Sequence, residues 1–266
     1  MFSPADPRSN FLLAALIDAG CDSATCPENV EWRAGQSLYE SGETQSHLYF
    51  PSNTVVSLQY ILNSGASSEF ALVGNHGVVG VSLVLGSTSM PSRAEVQGAG
   101  WGFRIPAQAI QDDFERPGPI RHLLLNGIQI LITQTAQSAV CNRHHVVEQQ
   151  LCRFLLQRLD NLPTNELMIT QEQIARLLGV RRESVTQAAA KLHEAGYVRY
   201  CRGRITVLNH QALEQLSCEC YAVVKQESDR FLPQPCVAQQ QPMPVVQQRT
   251  GCCSPARGFP ERVSAA

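Results

Sequence analysis

Residues 169–209 read ITQEQIARLLGVRRESVTQAAAKLHEAGYVRYCRGRITVLN, and this stretch predicts two short helices followed by a hairpin. Thr170 with Gln173 three residues later is a capping box, which marks the start of the first helix. The apolar periodicity stops at Gly179, which suits a left-handed turn, and a second helix begins near Arg181. Two helices joined by a short turn that contains glycine are typical of a helix-turn-helix.

The second of these helices has the side chains needed to contact a DNA major groove. Its apolar positions, Val185, Ala189 and Leu192, are expected to pack inward. On the outer face, guanidinium, carboxylate and amide groups match guanine, cytosine and adenine respectively, which predicts base reading by Arg182, Glu183 and Gln187. Phosphate contacts are predicted for Thr170, Arg181 and Thr186.

A basic hairpin follows the two helices. Residues 197–200 and 205–208 have strand composition, and the turn between them carries Arg202 and Arg204. This arrangement predicts the wing of a winged helix, with both arginines on backbone phosphate. The alternative is an ordinary helical hairpin with a solvated charged face.

Charge along the chain agrees with a local anionic partner. The chain has 266 residues and a formal net charge of −2, which excludes a uniformly basic nucleic-acid coat. Residues 143–210 nevertheless carry ten Lys or Arg against six Asp or Glu. A basic segment in a mildly acidic protein favours DNA or RNA as the partner.

The sequence before this segment divides into a β-rich part and a long helix. Residues 31–105 alternate short β-branched runs with Gly, Asn, Ser and Pro clusters, which predicts a small antiparallel sandwich or barrel after a short helix at residues 11–19. A long helix is predicted from Pro117 to about Val140. After a polar hinge at residues 142–145, apolar periodicity resumes. Residues 233–266, rich in Pro and Gln, are predicted to be a disordered tail.

The long helix carries a heptad-like pattern. Spacings of four and three separate the members of a predicted dimer seam, which starts with Leu124, Ile128 and Leu131 and continues through Thr135 and Ser138. The pattern predicts a parallel homodimer. A helix packed only on its own β-domain is the alternative.

Residues 170–192, TQEQIARLLGVRRESVTQAAAKL, closely resemble the DNA-binding stretch of the CRP/FNR superfamily of bacterial transcription regulators. The resemblance extends over residues 11–225 and implies an α+β fold. It implies a β jelly-roll (double-stranded β-helix) sensor domain at residues 11–116, a dimerisation helix at 117–141 and a winged helix-turn-helix at 146–225. It further implies a cytoplasmic homodimer that binds inverted-repeat double-stranded DNA, with RNA polymerase as a candidate partner. The family usually has a basic residue in place of Gln187, so sequence preference should differ there.

The sensor domain departs from the cyclic-nucleotide-binding members of that family. Those members carry Gly-Glu for the ribose and Arg-Ser/Thr-Ala for the cyclic phosphate, whereas this chain has Gly80-Val81 and Ser92-Arg93-Ala94. We therefore expect no cyclic-nucleotide binding. A different small effector remains open, and the candidate pocket residues are Gly80, Arg93, Thr135 and Ser138.

The chain has ten cysteines, whose spacings can be set against those of known metal sites. Cys21-x4-Cys26 is similar to part of the iron–sulfur pattern in the family, but only Cys141 stands as a distant third. Cys218-x-Cys220 is tighter than the usual zinc pair and lacks a second clear pair, and His144-His145 suggests hinge polarity. The sequence thus predicts no metal and no cofactor, with buried or surface thiols instead.

Other functional classes receive little support. The chain has no nucleophile elbow, phosphate loop or kinase motif, so we expect no catalysis. The longest uncharged stretch, residues 123–142, is too polar for lipid, and no secretory signal is evident, which predicts a cytoplasmic protein without a membrane span. The competing hypothesis is a ligand-binding or protein-interaction module whose helix-turn-helix is only structural.

Overall fold

A computed structural model describes residues 6–231, and the predicted tail at residues 233–266 lies outside them. A 3-10 turn at Pro7–Ser9 precedes the helices α1 (Phe11–Asp18) and α2 (Asp22–Thr25). The strands of the N-terminal half are β1 (Glu28–Trp32), β2 (Ser37–Tyr39), β3 (His47–Pro51), β4 (Val56–Ile61), β5 (Ser67–Val73), β6 (Arg93–Val96) and β7 (Gly100–Pro106), with helix α3 (Val81–Val84) between β5 and β6.

These strands form two antiparallel sheets, with the orders β1-β7-β3 and β2-β6-β4-β5. A bridge between Tyr49 and Val79 lies outside the named strands. Neither sheet closes into a barrel within the part of the chain that the structure describes. The β-sheet part, residues 28–106, thus has the predicted mainly antiparallel character in the form of two open sheets.

Close packing in the three-stranded sheet depends on one glycine. A Cβ atom on Gly102 would lie 2.1 Å from the ring of Trp32, which is itself 1 % exposed. Only glycine leaves room for that indole on β7. The Trp32 ring also packs edge-on against Tyr49, with ring centroids 6.2 Å apart.

The long helix starts and ends later in the sequence than predicted. After α4 (Ala107–Glu115), helix α5 runs from Pro119 to His144 and ends at the C-cap His145. Pro119, rather than Pro117, occupies the first turn, where the missing N–H of proline costs no hydrogen bond. The helix also continues through most of the predicted hinge at residues 142–145. No helix among residues 6–231 combines the length and apolarity needed to cross a membrane.

The residues of the predicted seam, Leu124, Ile128 and Leu131, are covered to different extents by their own chain. Leu124 is 1 % exposed and Ile128 is 9 % exposed, because both pack in a cluster with α1 and the three-stranded sheet of the same chain. Leu131 packs against the other sheet. The exposed apolar side chains of α5 lie on a different face and include Leu125 and Ile132, at 39 % and 57 % exposure. This exposed apolar face is the part of α5 that the chain's own sheets leave uncovered.

The C-terminal half contains a second core. Its elements are α6 (Val147–Leu159), β8 (Glu166–Met168), α7 (Gln171–Leu178), α8 (Arg182–Glu194), β9 (Val198–Cys201), β10 (Arg204–Val207), α9 (His210–Leu216) and α10 (Glu219–Phe231). The strands form an antiparallel sheet of order β8-β10-β9. Buried side chains of α6, α7, α8 and the sheet share one apolar cluster. The helix-turn-helix part, residues 147–216, therefore has a core of its own.

A buried ion pair joins the two parts of the chain. Arg158 on α6 is 2 % exposed, and its Nη2 lies 2.6 Å from Oε2 of Glu69 on β5. The guanidinium also stacks on the Phe154 ring, 3.4 Å from its centroid. Ser57 donates a hydrogen bond to the same Glu69 oxygen, and Gln59 Nε2 donates to Ser57 Oγ at 3.1 Å. This chain of bonds extends from α6 into the sheet interior.

Replacing Glu69 by Leu should destabilise the chain strongly, because it leaves the Arg158 guanidinium buried without its anion. Loss of one partner of such a pair typically costs about 3–5 kcal/mol, whereas an apolar replacement of both partners is often nearly neutral. Urea unfolding should therefore show a large loss for Glu69→Leu and recovery in the double variant Glu69→Leu, Arg158→Met. A loss below about 1 kcal/mol in the single variant would contradict the role given to this pair.

Candidate nucleic-acid interface

The start of α7 is held by the predicted capping box. Thr170 Oγ1 accepts from Gln173 N at 3.2 Å, and Gln173 Oε1 accepts from Thr170 N at 2.8 Å. The helix ends at Gly179, whose φ of +68° is the left-handed conformation expected from the sequence. Both ends of α7 are thus set by local residues, which fixes the turn leading into α8.

Helix α8 begins where the sequence indicated. Arg181 is its N-cap, and the buried side chains Val185, Ala188, Ala189 and Leu192 turn one face to the core. That packing leaves the opposite face exposed, with Arg182, Glu183, Thr186 and Gln187 outside. The three residues predicted to read bases therefore share one solvent-facing surface.

Two contacts connect α8 to the first turn of α7. Thr186 Oγ1 donates to Gln171 Oε1 at 2.8 Å, and Arg182 Nε lies 3.6 Å from Glu172 Oε2. The Arg182 and Glu172 side chains are 65 % and 71 % exposed, so their pair is weak and free to exchange for another anion. The Thr186 hydroxyl is committed to the helix–helix contact.

The wing lies next to the same helix start. Its tip has Arg202 at φ +48° and Gly203 at φ +77°, a tight two-residue turn between β9 and β10. Tyr200 Oη accepts from Gln171 N at 3.2 Å, and a Cβ on Gly203 would lie 3.5 Å from Thr170 Cγ2. The hairpin and the N-terminus of α7 thus form a continuous surface.

The cations of this surface remain accessible. Arg181, Arg182, Arg202 and Arg204 are all exposed. Arg204 Nη1 has one partner, Glu166 Oε2 at 3.5 Å, and more than half of the Arg204 side chain stays exposed. An exposed row of arginines beside a free helix face can neutralise phosphates while the helix contacts base edges.

The predicted effector residues are not gathered into one pocket. Gly80 lies in a left-handed turn before α3, and Arg93 at the start of β6 lies 2.9 Å from Glu95 Oε2 and 3.4 Å from Glu40 Oε1. Thr135 is exposed on α5, whereas Ser138 is buried and lies 3.5 Å from Arg153. Each residue has different neighbours.

A cavity of about 150 Å³ lies elsewhere, between β5, α5, α6 and α10, and none of the four predicted residues lines it. Among its lining side chains are His76, Gln134, Asp160 and Tyr221. Burial lowers the pKa of His76, which favours the neutral imidazole, and burial next to Asp160 raises the pKa of Tyr221. Burial thus favours the neutral forms of the His76 imidazole and the Tyr221 phenol in this cavity.

The structure also brings together residues whose grouping the sequence analysis missed. The expectation that Cys218 and Cys220 lack a second pair of metal ligands is wrong, because Cys141 and His145 from the end of α5 lie beside them. The sequence signal is Cys141-x3-His145, which places both residues on one face of a helix. Cys141 is thus grouped with the C-terminal cysteines, not with Cys21 and Cys26.

Comparisons with known proteins agree with this geometry. Residues 149–216 match the model of the Crp-like helix-turn-helix domain. A global nitrogen regulator of Synechococcus elongatus is 28 % identical over 223 residues, covering 78 % of this chain and 97 % of that protein.

Among solved structures, FixK2 from Bradyrhizobium japonicum superimposes with a TM-score of 0.63 at 16 % identity, covering 73 % of this chain and 98 % of FixK2. A CRP-family transcriptional regulator from Thermus thermophilus gives a TM-score of 0.60 at 17 % identity, covering 71 % of this chain and 96 % of that one. The helix-turn-helix match and the related sequence support a DNA-binding transcription regulator with a Crp-like helix-turn-helix domain, and the solved structures show that the chain shares the fold of CRP/FNR regulators.

Proposed function

We propose that this regulator binds an inverted-repeat DNA site as a homodimer and does so without a cyclic nucleotide. The observation that carries the proposal is the exposed face of α8 next to an arginine-bearing wing. Such a face has the dimensions and chemistry of a major-groove reader. The competing reading, a purely structural helix-turn-helix, gives no reason for four exposed arginines around that face.

Within this surface the side chains have separate tasks. Arg182, Glu183 and Gln187 project from the first two turns of α8, which is the part of a recognition helix that contacts bases. Arg181, Arg202 and Arg204 lie around it and suit phosphates. The hydroxyl protons of Thr170 and Thr186 are donated to Gln173 and Gln171, so a phosphate contact by either residue requires its hydroxyl to turn away from that acceptor when DNA binds.

Arg182→Ala should relax base preference at one position of the site, at a cost of about 1–3 kcal/mol, because a guanidinium fork to guanine is lost. Arg202→Ala should weaken all duplexes alike and reduce the salt dependence of binding by about one phosphate contact. Selection from random duplexes, followed by titration at several salt concentrations, measures both effects.

The matched control is Arg182→Lys, which keeps the charge and removes the bidentate geometry. It should retain general affinity but lose the preference. Uniform loss of affinity across all sequences in both Arg182 variants would contradict base reading by this residue. Binding that did not respond to salt would favour the purely structural helix-turn-helix.

For the homodimer, the exposed face of α5 is the surface we assign. Leu125, Ile132, Ala136 and Ala139 follow one another with spacings of seven, four and three and are all exposed. This is the spacing of a coiled-coil seam, shifted by one residue from the one predicted. A parallel pairing there would set two α8 helices about one DNA turn, roughly 34 Å, apart.

The double variant Leu125→Asp, Ile132→Asp should sediment as a monomer and bind inverted repeats poorly, because it places four carboxylates in one apolar seam. Both side chains are exposed within the chain, so folding should be preserved. Thr135→Asp, on the exposed flank of the same helix, is the control and should remain a dimer. A dimeric double variant would exclude this face as the interface.

Cyclic nucleotides lack their usual contacts in the β-sheet part. Val81 has no hydrogen-bond acceptor on its side chain for a ribose hydroxyl, and an unpaired buried hydroxyl costs about 1–3 kcal/mol. The Arg93 guanidinium is already paired with two carboxylates, Glu40 and Glu95. Another small effector and RNA polymerase remain candidate partners.

Calorimetry with cyclic AMP or cyclic GMP at millimolar concentration should therefore show no saturable heat, and DNA affinity should not change. The double variant Glu40→Gln, Glu95→Gln serves as a control, since it removes both carboxylate partners of Arg93 but supplies no ribose acceptor. Micromolar, saturable binding of either nucleotide to the unmodified chain would overturn this expectation.

A further inference from the structure

Four metal-binding side chains converge where the long helix ends. Cys141 lies in the last turn of α5, His145 is its C-cap, and Cys218 and Cys220 flank the start of α10. One ligand atom from each lies within 4.8 Å of all the others. The three cysteines are buried and the histidine is partly buried.

Two distances between these atoms are close to those around a single tetrahedral ion. Cys141 Sγ lies 3.5 Å from Cys218 Sγ, and Cys220 Sγ lies 3.6 Å from His145 Nδ1. Zn–S bonds of about 2.3 Å and Zn–N bonds of about 2.0–2.1 Å imply edges of about 3.8 Å and 3.6 Å respectively. We propose that Cys141, His145, Cys218 and Cys220 bind one structural Zn²⁺ ion.

The histidine is already oriented for this role. Its Nε2 lies 3.3 Å from Glu219 Oε2, while its Nδ1 points toward Cys220. A proton held on Nε2 by that carboxylate leaves the Nδ1 lone pair free for a metal. Carboxylate–histidine–metal arrangements of this kind are the usual outer-shell support of a zinc site. Gln150 Nε2 also donates to the carbonyl of His145 at 2.8 Å, which fixes the backbone of the helix end.

Charge provides an independent argument. Arg153 is 6 % exposed, and its contacts are Ser138 Oγ at 3.5 Å and Gln157 Oε1 at 3.4 Å. No carboxylate of residues 6–231 forms an ion pair with it. A Zn²⁺ ion with three thiolates and a neutral imidazole has a net charge of −1, and a buried cation requires such a counter-charge. Arg153 contacts Ser138, which lies one helical turn before Cys141 on α5.

The ligand set favours zinc over an iron–sulfur cluster. In a four-iron cluster each cysteine binds a different iron, which needs wider separation than the 4.8 Å found here. Because protein side chains fill all four positions, no site is left for water or substrate. The ion would therefore be structural. It would tie the end of α5 to the segment that follows the helix-turn-helix part, across the break at residues 145–146.

The full-length chain, produced without a polyhistidine tag, should contain about one zinc per chain by elemental analysis. Chelation of the zinc should lower the melting temperature, and zinc alone should restore it, since binding to the folded state adds stability. Substitution by Co²⁺ should give visible bands typical of tetrahedral coordination together with thiolate charge-transfer absorption. These measurements use the unmodified chain and do not depend on any variant folding.

Variants assign the ligands. Cys218→Ala and Cys220→Ala should lose stoichiometric zinc, whereas Cys152→Ala, which removes a buried thiol outside the group, should retain it. Glu219→Gln should weaken zinc affinity by about 10–100-fold without abolishing binding. Three results would each overturn the proposal. The first is iron with acid-labile sulfide in the protein, and the second is a Cys141–Cys218 disulfide in protein purified under reducing conditions. The third is equal zinc content in Cys218→Ala and Cys152→Ala.

Discussion

The buried pair of Arg158 and Glu69 is the interaction on which the arrangement of the chain depends. Each charge is removed from water, so neither is stable there without the other. The pair therefore holds α6 against β5 in one position. It also aligns the polar bonds of Ser57 and Gln59 inside the sheet, and it brings the start of the helix-turn-helix part to the four-stranded sheet.

Other contacts between the β-sheet part and the helix-turn-helix part lie next to this ion pair. Helix α7 packs on β5, and its C-terminal turn approaches the sheet closely: a Cβ on Gly179 would lie 3.4 Å from Ser68 Oγ. Arg176 lies 3.9 Å from Glu95 on β6, the same carboxylate that pairs with Arg93. Helix α8 points away from these contacts and remains open to DNA. A ligand that disturbed Arg93 would thus act on a group two contacts removed from the helix-turn-helix.

Local signals in the sequence predicted the helix-turn-helix well. The capping box at Thr170 and the left-handed Gly179 depend on interactions between residues at most four positions apart. Such local interactions can be predicted from the sequence alone. The predicted seam falls on the covered face of α5 because this helix is apolar on two sides, and heptad spacing fits Leu124 as well as Leu125. The side of α5 that the chain's own sheets cover is decided by tertiary packing, which the heptad pattern does not encode. The four-ligand cluster was missed for a similar reason, since 77 residues separate Cys141 from Cys218.

Strand β5 ends one side of its sheet, because the order β2-β6-β4-β5 gives it one strand neighbour. Its outer side is occupied by the chain's own helices, with Leu72 N donating to Gln134 Oε1 of α5 at 3.0 Å. If these helices did not cover it, such an edge strand could pair with strands of other chains. Wide separation of the two parts would expose it and invite aggregation. A rearrangement that slid α5 and α7 along β5 would keep this edge covered, whereas one that lifted them away would expose it.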